Sequence, residues 1–88
     1  MKIYWYNGSK NVIGPVVRKL RVERNMTQKA LAEQMQLRGV EIGDLVILRI
    51  EKGLRFVTDY EVRALADVFH VDVKDLYPIP HDNGQLQK

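Results

Sequence analysis

From Val12 onward the apolar positions fall three and four residues apart, the spacing that lines up one face of a helix. Ile13, Val17 and Leu20, with Arg24 in the same register, predict a first helix, and Pro15 fits it only in the first turn, where a missing N–H costs little. Asn25 closes that helix, and Thr27 offers its hydroxyl as N-cap for a second over residues 28–36 that turns Leu31, Ala32 and Met35 inward. The stretch 37–43 carries two glycines and breaks the pattern, so it reads as a connection of about seven residues. A third helix then runs from Asp44 to about Lys52, ended by Gly53. Thr58 stands three residues before Glu61, the spacing of a capping box, and opens a fourth helix to about His70 that buries Val62, Leu65, Ala66 and Phe69. Asp72 can cap a last short helix through Leu76, which Pro78 stops.

The opening residues differ. Ile3, Tyr4, Trp5 and Tyr6 are aromatic or β-branched and precede a turn signal at Asn7-Gly8-Ser9, so residues 1–10 read as a short strand or an extended arm. Residues 11–77 form the helical domain, and residues 78–88, polar and aperiodic, read as a flexible tail. No segment repeats. The expectation is an all-α domain of five short helices with tight connections, preceded by that arm or strand.

Composition narrows the class. A chain of 88 residues holds one core rather than two, and 45% hydrophobic residues are enough to fold it. The absence of cysteine excludes disulfides, thiolate zinc sites and thiol catalysis. No apolar run is long enough for a membrane span and no signal peptide is evident, so the reading is a cytoplasmic protein with no membrane partner. The net charge of +3 is unevenly placed. Residues 1–55 hold 11 Lys and Arg against 5 Asp and Glu, and residues 56–88 hold 3 against 6, so the N-terminal part is the one suited to a polyanion.

Two helices, the first opened by Thr27-Gln28 and the second closed by Ile50-Glu51-Lys52-Gly53, carry a resemblance. With Ile13-Gly14, Leu20-Arg21, Leu31-Ala32-Glu33, Ile47, Leu65-Ala66 and Val71-Asp72-Val73 ahead of Leu76, they resemble the Cro and lambda-repressor (XRE-like) helix-turn-helix proteins. The resemblance spans about residues 11–77 and implies a regulator of transcription, a repressor in the bacterial or phage manner, binding double-stranded DNA without a cofactor. In that family the third helix enters the major groove. By resemblance Gln28, with Lys29 beside it, positions the domain on the backbone, Lys52 and Arg55 meet phosphate, and Arg21 pairs with Glu51 to lock the motif.

Helical geometry assigns the outward face of the third helix to Asp44, Leu45, Leu48, Arg49 and Lys52 if Val46, Ile47 and Ile50 face the core. Here the chain departs from the family it resembles. Where relatives display hydrogen-bonding side chains, Asp44 repels phosphate and Leu45 and Leu48 can read only thymine methyls. Two outcomes stay open. Either Arg49, Lys52 and DNA shape supply the recognition, or the leucine face serves a protein partner, as in an antitoxin-like or assembly module. Leu45 packed against the connection is the bland alternative.

Other chemistry is weakly signalled. His70 falls at a helix end and His81 in the tail, too far apart in sequence to suggest a metal site. The carboxylates Asp59, Glu61, Asp72 and Asp75 sit near helix starts, where capping explains them, and no nucleophile–base pair is evident, so no enzyme is expected. The arm of Ile3, Tyr4, Trp5 and Tyr6 either covers the bundle or pairs with its copy in a homodimer.

Overall fold

The computed structural model describes residues 8–78. Four α-helices follow one another: α1 (Gly14–Glu23), α2 (Gln28–Leu37), α3 (Asp44–Glu51) and α4 (Asp59–Phe69). A single 3-10 turn, Val73–Leu76, closes the domain. The expected five-helix count is therefore corrected to four. Between Asp72 and Tyr77 there is too little chain for an i to i−4 ladder, and the bonds are the tighter i to i−3 kind, Asp75 N–H to the Asp72 carbonyl (2.9 Å) and Tyr77 N–H to that of Lys74 (3.3 Å). No strand occurs among the described residues, and the arm residues Ile3, Tyr4, Trp5 and Tyr6 lie outside them, as does the tail beyond Pro78. No helix of the described residues is long and apolar enough to cross a membrane.

Local chemistry sets the helix ends. Ile13 occupies the N-cap of α1 with no capping side chain of its own, and Asn11 supplies the acceptor instead, its Oδ1 taking the Gly14 N–H at 2.8 Å. Thr27 accepts the Ala30 N–H at 2.9 Å at the start of α2. The capping box of α4 is complete in both directions, Glu61 N–H to Thr58 Oγ1 (3.2 Å) and Thr58 N–H to Glu61 Oε1 (2.9 Å). Asn25 and His70 turn the chain out of α1 and α4 with left-handed backbones (φ 54° and 58°).

One core serves all the helices. Val17 of α1, Leu31 and Met35 of α2, Ile47 and Ile50 of α3, Leu65 and Phe69 of α4 and Leu76 of the 3-10 turn are fully buried. Burying a side chain of this size stabilises by about 1.5–3 kcal/mol. The connection between α2 and α3 is less loose than its glycines suggest. Val40 and Ile42 are buried in it, and the Gln36 amide spans it to the Ile42 carbonyl at 2.8 Å, so the orientation of α3 against α2 is built in.

Candidate nucleic-acid interface

The last turn of α3 is held from three sides. From α1, Arg21 donates Nε to Glu51 Oε2 (2.6 Å) and its NH2 to Oε1 (3.1 Å), while its NH1 reaches the Met26 carbonyl (2.8 Å). From the start of α2, the Gln28 amide donates to the same Oε1 at 3.2 Å. The Glu51 side chain is only 2% exposed, so this bidentate fork together with the amide is what makes its burial tolerable. Hydrogen bonding to Glu51 raises the Arg21 pKa above its ordinary value, keeping the guanidinium charged. From the segment before α1, the Asn11 amide donates to the carbonyls of Ile50 (3.1 Å) and Arg55 (2.8 Å), and Lys10 N–H donates to that of Gly53 (2.8 Å). Ser9 and Lys10, which the sequence places in the arm, thus belong to the anchoring of α3.

Two glycines permit this closeness. A Cβ on Gly14 would collide with the Ile50 carbonyl, and one on Gly53 (φ +74°) with the Ser9 side chain. Sequence reasoning used Gly14 only as part of the family resemblance and assigned neither Asn11 nor Gly14 a contact. Their signal was the run Asn11-Val12-Ile13-Gly14, whose partners lie 36 to 44 residues away and are invisible to any local pattern.

Anchored in this way, α3 buries Ile47, Ile50 and Glu51 and presents Asp44, Leu45, Arg49 and Lys52 to solvent. Leu45 is 53% exposed and does not pack away against the connection. Leu48 is half-buried, so the two leucines are not an equally open pair. Asp44 is the first residue of α3, whose N-cap Gly43 has no side chain to bond the free amides; an acid there suits the positive end of the helix dipole. Lys29 is exposed on α2, lining a shallow groove of about 320 Å³ with Glu33, Gln36 and Asp44.

Pairing sorts the basic side chains. Arg24 bonds the Leu20 and Phe69 carbonyls (3.2 and 2.9 Å), Arg38 bonds Asp67 (2.6 Å), and Lys19 and Lys74 lie 3.9 and 3.4 Å from Glu23 and Asp72. Arg55, expected to meet phosphate, is instead committed to the protein. Its fork holds both oxygens of Glu61 (2.9 and 3.1 Å) and its NH1 also reaches the Phe56 carbonyl (3.0 Å). Among the described residues, Arg18, Lys29, Arg49, Lys52 and Arg63 have no such partner. Three of those five stand on α2 and on α3 with its C-cap. No group of three acidic or His side chains converges as a metal site among the described residues.

Two adjacent helices set at a fixed angle, with the second turned outward at a solvent face, define a helix-turn-helix protein. The chain belongs to the helix-turn-helix family, whose model matches residues 17–76, and within it to the Cro and lambda-repressor type. Among solved structures it is similar to the DNA-binding domain of BldD (26% identity, TM-score 0.66, covering 83% of this chain and 99% of that one). It is also similar to the restriction-modification controller protein C.AhdI from Aeromonas hydrophila (23% identity, TM-score 0.64, covering 74% of this chain and 87% of that one). A third similar structure is the hydroxypropylphosphonic acid epoxidase from S. wedmorenis (18% identity, TM-score 0.66), where the match covers 80% of this chain but 35% of the epoxidase. At the identities of C.AhdI and the epoxidase the likeness concerns the fold. No curated protein sequence matches the chain.

Proposed function

We propose that the protein is a DNA-binding regulator of transcription that places α3 in the major groove and represses by occupying its operator. The observation that carries this reading is the distribution of unpartnered cations: Lys29, Arg49 and Lys52 stand around α3 while most other basic side chains are tied to carboxylates or carbonyls. Membership of the helix-turn-helix family and the likeness to the BldD DNA-binding domain support it. Lys29 and Lys52 contact phosphate and fix register, Arg49 reaches a base edge or the adjacent phosphate, and Leu45 offers apolar contact to a thymine methyl. Gln28, its amide engaged with Glu51, positions the helix joint more than it binds backbone. The reading needs no cofactor and no catalytic step. A homodimer on half-sites about one helical turn apart would double a small basic face.

Salt titration on duplex DNA tests this reading. Each phosphate contact contributes a slope of about −0.9 in log K against log salt, so Arg49→Ala and Lys52→Ala each flatten the slope by about that amount. No duplex binding at about 50 mM salt would sink the proposal.

The exposure of Leu45 favours a second reading, a protein-interaction module on the same fold, because an apolar side chain 53% open in the first turn of an outward helix suits a partner groove. Leu45→Asp discriminates. Loss of a copurifying partner with duplex binding absent favours the module, and weakened duplex binding alone favours DNA.

A further inference from the structure

Arg18 is a cation that the helix-turn-helix leaves out. It lies on α1, outside the two-helix motif, exposed and without a partner. Its neighbours along the same stripe of α1 fix where it stands. Gly14, four residues before it, meets the Ile50 carbonyl so closely that a Cβ would collide there, and that Cβ would come within 3.0 Å of the Glu51 carbonyl. Arg21, three residues after it, grips the Glu51 carboxylate. Residues three and four apart are neighbours on a helix surface, so Arg18 lies between two residues that both touch the last turn of α3. Helical side chains lean toward the helix N-terminus, which carries its guanidinium toward the Gly14 end, where α3 finishes and Lys52 begins the exit.

The joint does not neutralise Arg18. Glu51 is committed to Arg21 and Gln28 and is buried, and the neighbouring Lys19 turns to Glu23. What remains is an unpartnered guanidinium on the stripe of α1 that meets the end of α3, and an unpartnered ammonium at the C-cap of α3. A guanidinium fork matches phosphate oxygens in a bidentate manner. We propose that Arg18 is a phosphate-positioning residue that grips the DNA backbone together with Lys52 and sets how deeply α3 sits. This rests on the DNA-binding reading above. It widens the docking surface from two helices to three, with α1 supplying backbone grip and no base contact.

The test is duplex binding followed by fluorescence anisotropy from about 50 to 200 mM salt for the wild type, Arg18→Ala, Arg18→Lys and Arg63→Ala, with thermal unfolding of each. Arg63 is the control: exposed and unpartnered like Arg18, but on α4 in a groove with Tyr60, Arg38 and Asp67. Arg18→Ala is expected to flatten the slope by about 0.9, so a fourfold rise in salt shrinks its disadvantage against the wild type about 3.5-fold. Arg18→Lys restores the slope, Arg63→Ala keeps it, and melting temperatures are unchanged. An unaltered slope in Arg18→Ala, or an equal loss in Arg63→Ala, overturns this inference and leaves the DNA-binding reading standing. A wild type that fails to bind duplex at about 50 mM salt overturns that reading and this inference with it.

Discussion

At the scale of single residues, two buried carboxylates tie α3 and the segment after it to the rest of the fold. Glu51 is satisfied by Arg21 and Gln28. Arg21→Ala leaves its charge buried with one amide for company and should cost about 3 kcal/mol, read from the urea midpoint at unchanged m-value. Gln28→Ala removes one bond and should cost about 1 kcal/mol in the same measurement. Glu61 is the second. Burial by itself raises its pKa, but the Arg55 hydrogen bond, the Thr58 N–H and the Arg55 charge outweigh it, so the folded-state value lies below the ordinary one. A depressed carboxyl pKa means that the unfolded chain binds the proton first as pH falls. The stabilisation is complete above about pH 4.3 and disappears as pH drops through the lower folded-state value. Urea midpoints between pH 6 and 3 should fall more steeply in the wild type than in Glu61→Gln; parallel curves would show that the pair contributes nothing to acid sensitivity. Both carboxylates were visible in the sequence as an ion-pair and a capping residue. The involvement of Gln28 and Arg55 was not, because each has a side chain long enough to choose between solvent and a neighbour, and only the fold supplies the neighbour.

At the scale of elements, the sequence located the four helices to within a residue or two because each has a periodic face and a chemical signal at one end at least. Thr27 and Thr58 cap, and Asn25 and Gly53 release the chain. Thr58→Ala should therefore cost about 1 kcal/mol, and calorimetry will register it as a lowered melting temperature. The fifth helix failed for a reason of length: capping residues were present, but the segment between Asp72 and Tyr77 holds only one tight turn. Helix contact is a different matter. Gly14 looks like an ordinary glycine near a helix start, yet it is where α1 and α3 touch. Gly14→Ala forces those helices apart and should destabilise by about 1–3 kcal/mol, although alanine is the better helix former. A melting temperature that rises in this variant would mean that helix propensity outweighs the contact.

At the scale of the whole molecule, net charge is a poor guide and unpaired charge a better one. The basic excess in residues 1–55 includes Arg21 and Arg55, whose charges are answered inside the fold, and Arg24 and Arg38, which are also engaged. Arg55→Ala should accordingly lower the unfolding midpoint while leaving the salt slope of duplex binding within about 0.3 of the wild type, the opposite of Lys52→Ala, which flattens the slope and leaves stability alone. Titrating both variants side by side checks the sorting. If Arg55→Ala flattens the slope as much as Lys52→Ala does, Glu61 does not hold the guanidinium away from phosphate.

The division between sequence and tertiary structure follows the range of the forces involved. Helix identity, caps, the inward faces and the motif of Thr27-Gln28 through Gly53 rest on interactions within a few residues, and so they were legible as spacing. Which cations remain free, how Asn11 and Gly14 seat the end of α3, and that Leu45 rather than Leu48 stands open depend on partners 30 or more residues away or on the packing angle of whole helices. A one-dimensional pattern carries no such distance. Only the folded chain decides which charges meet one another and which are left for a ligand.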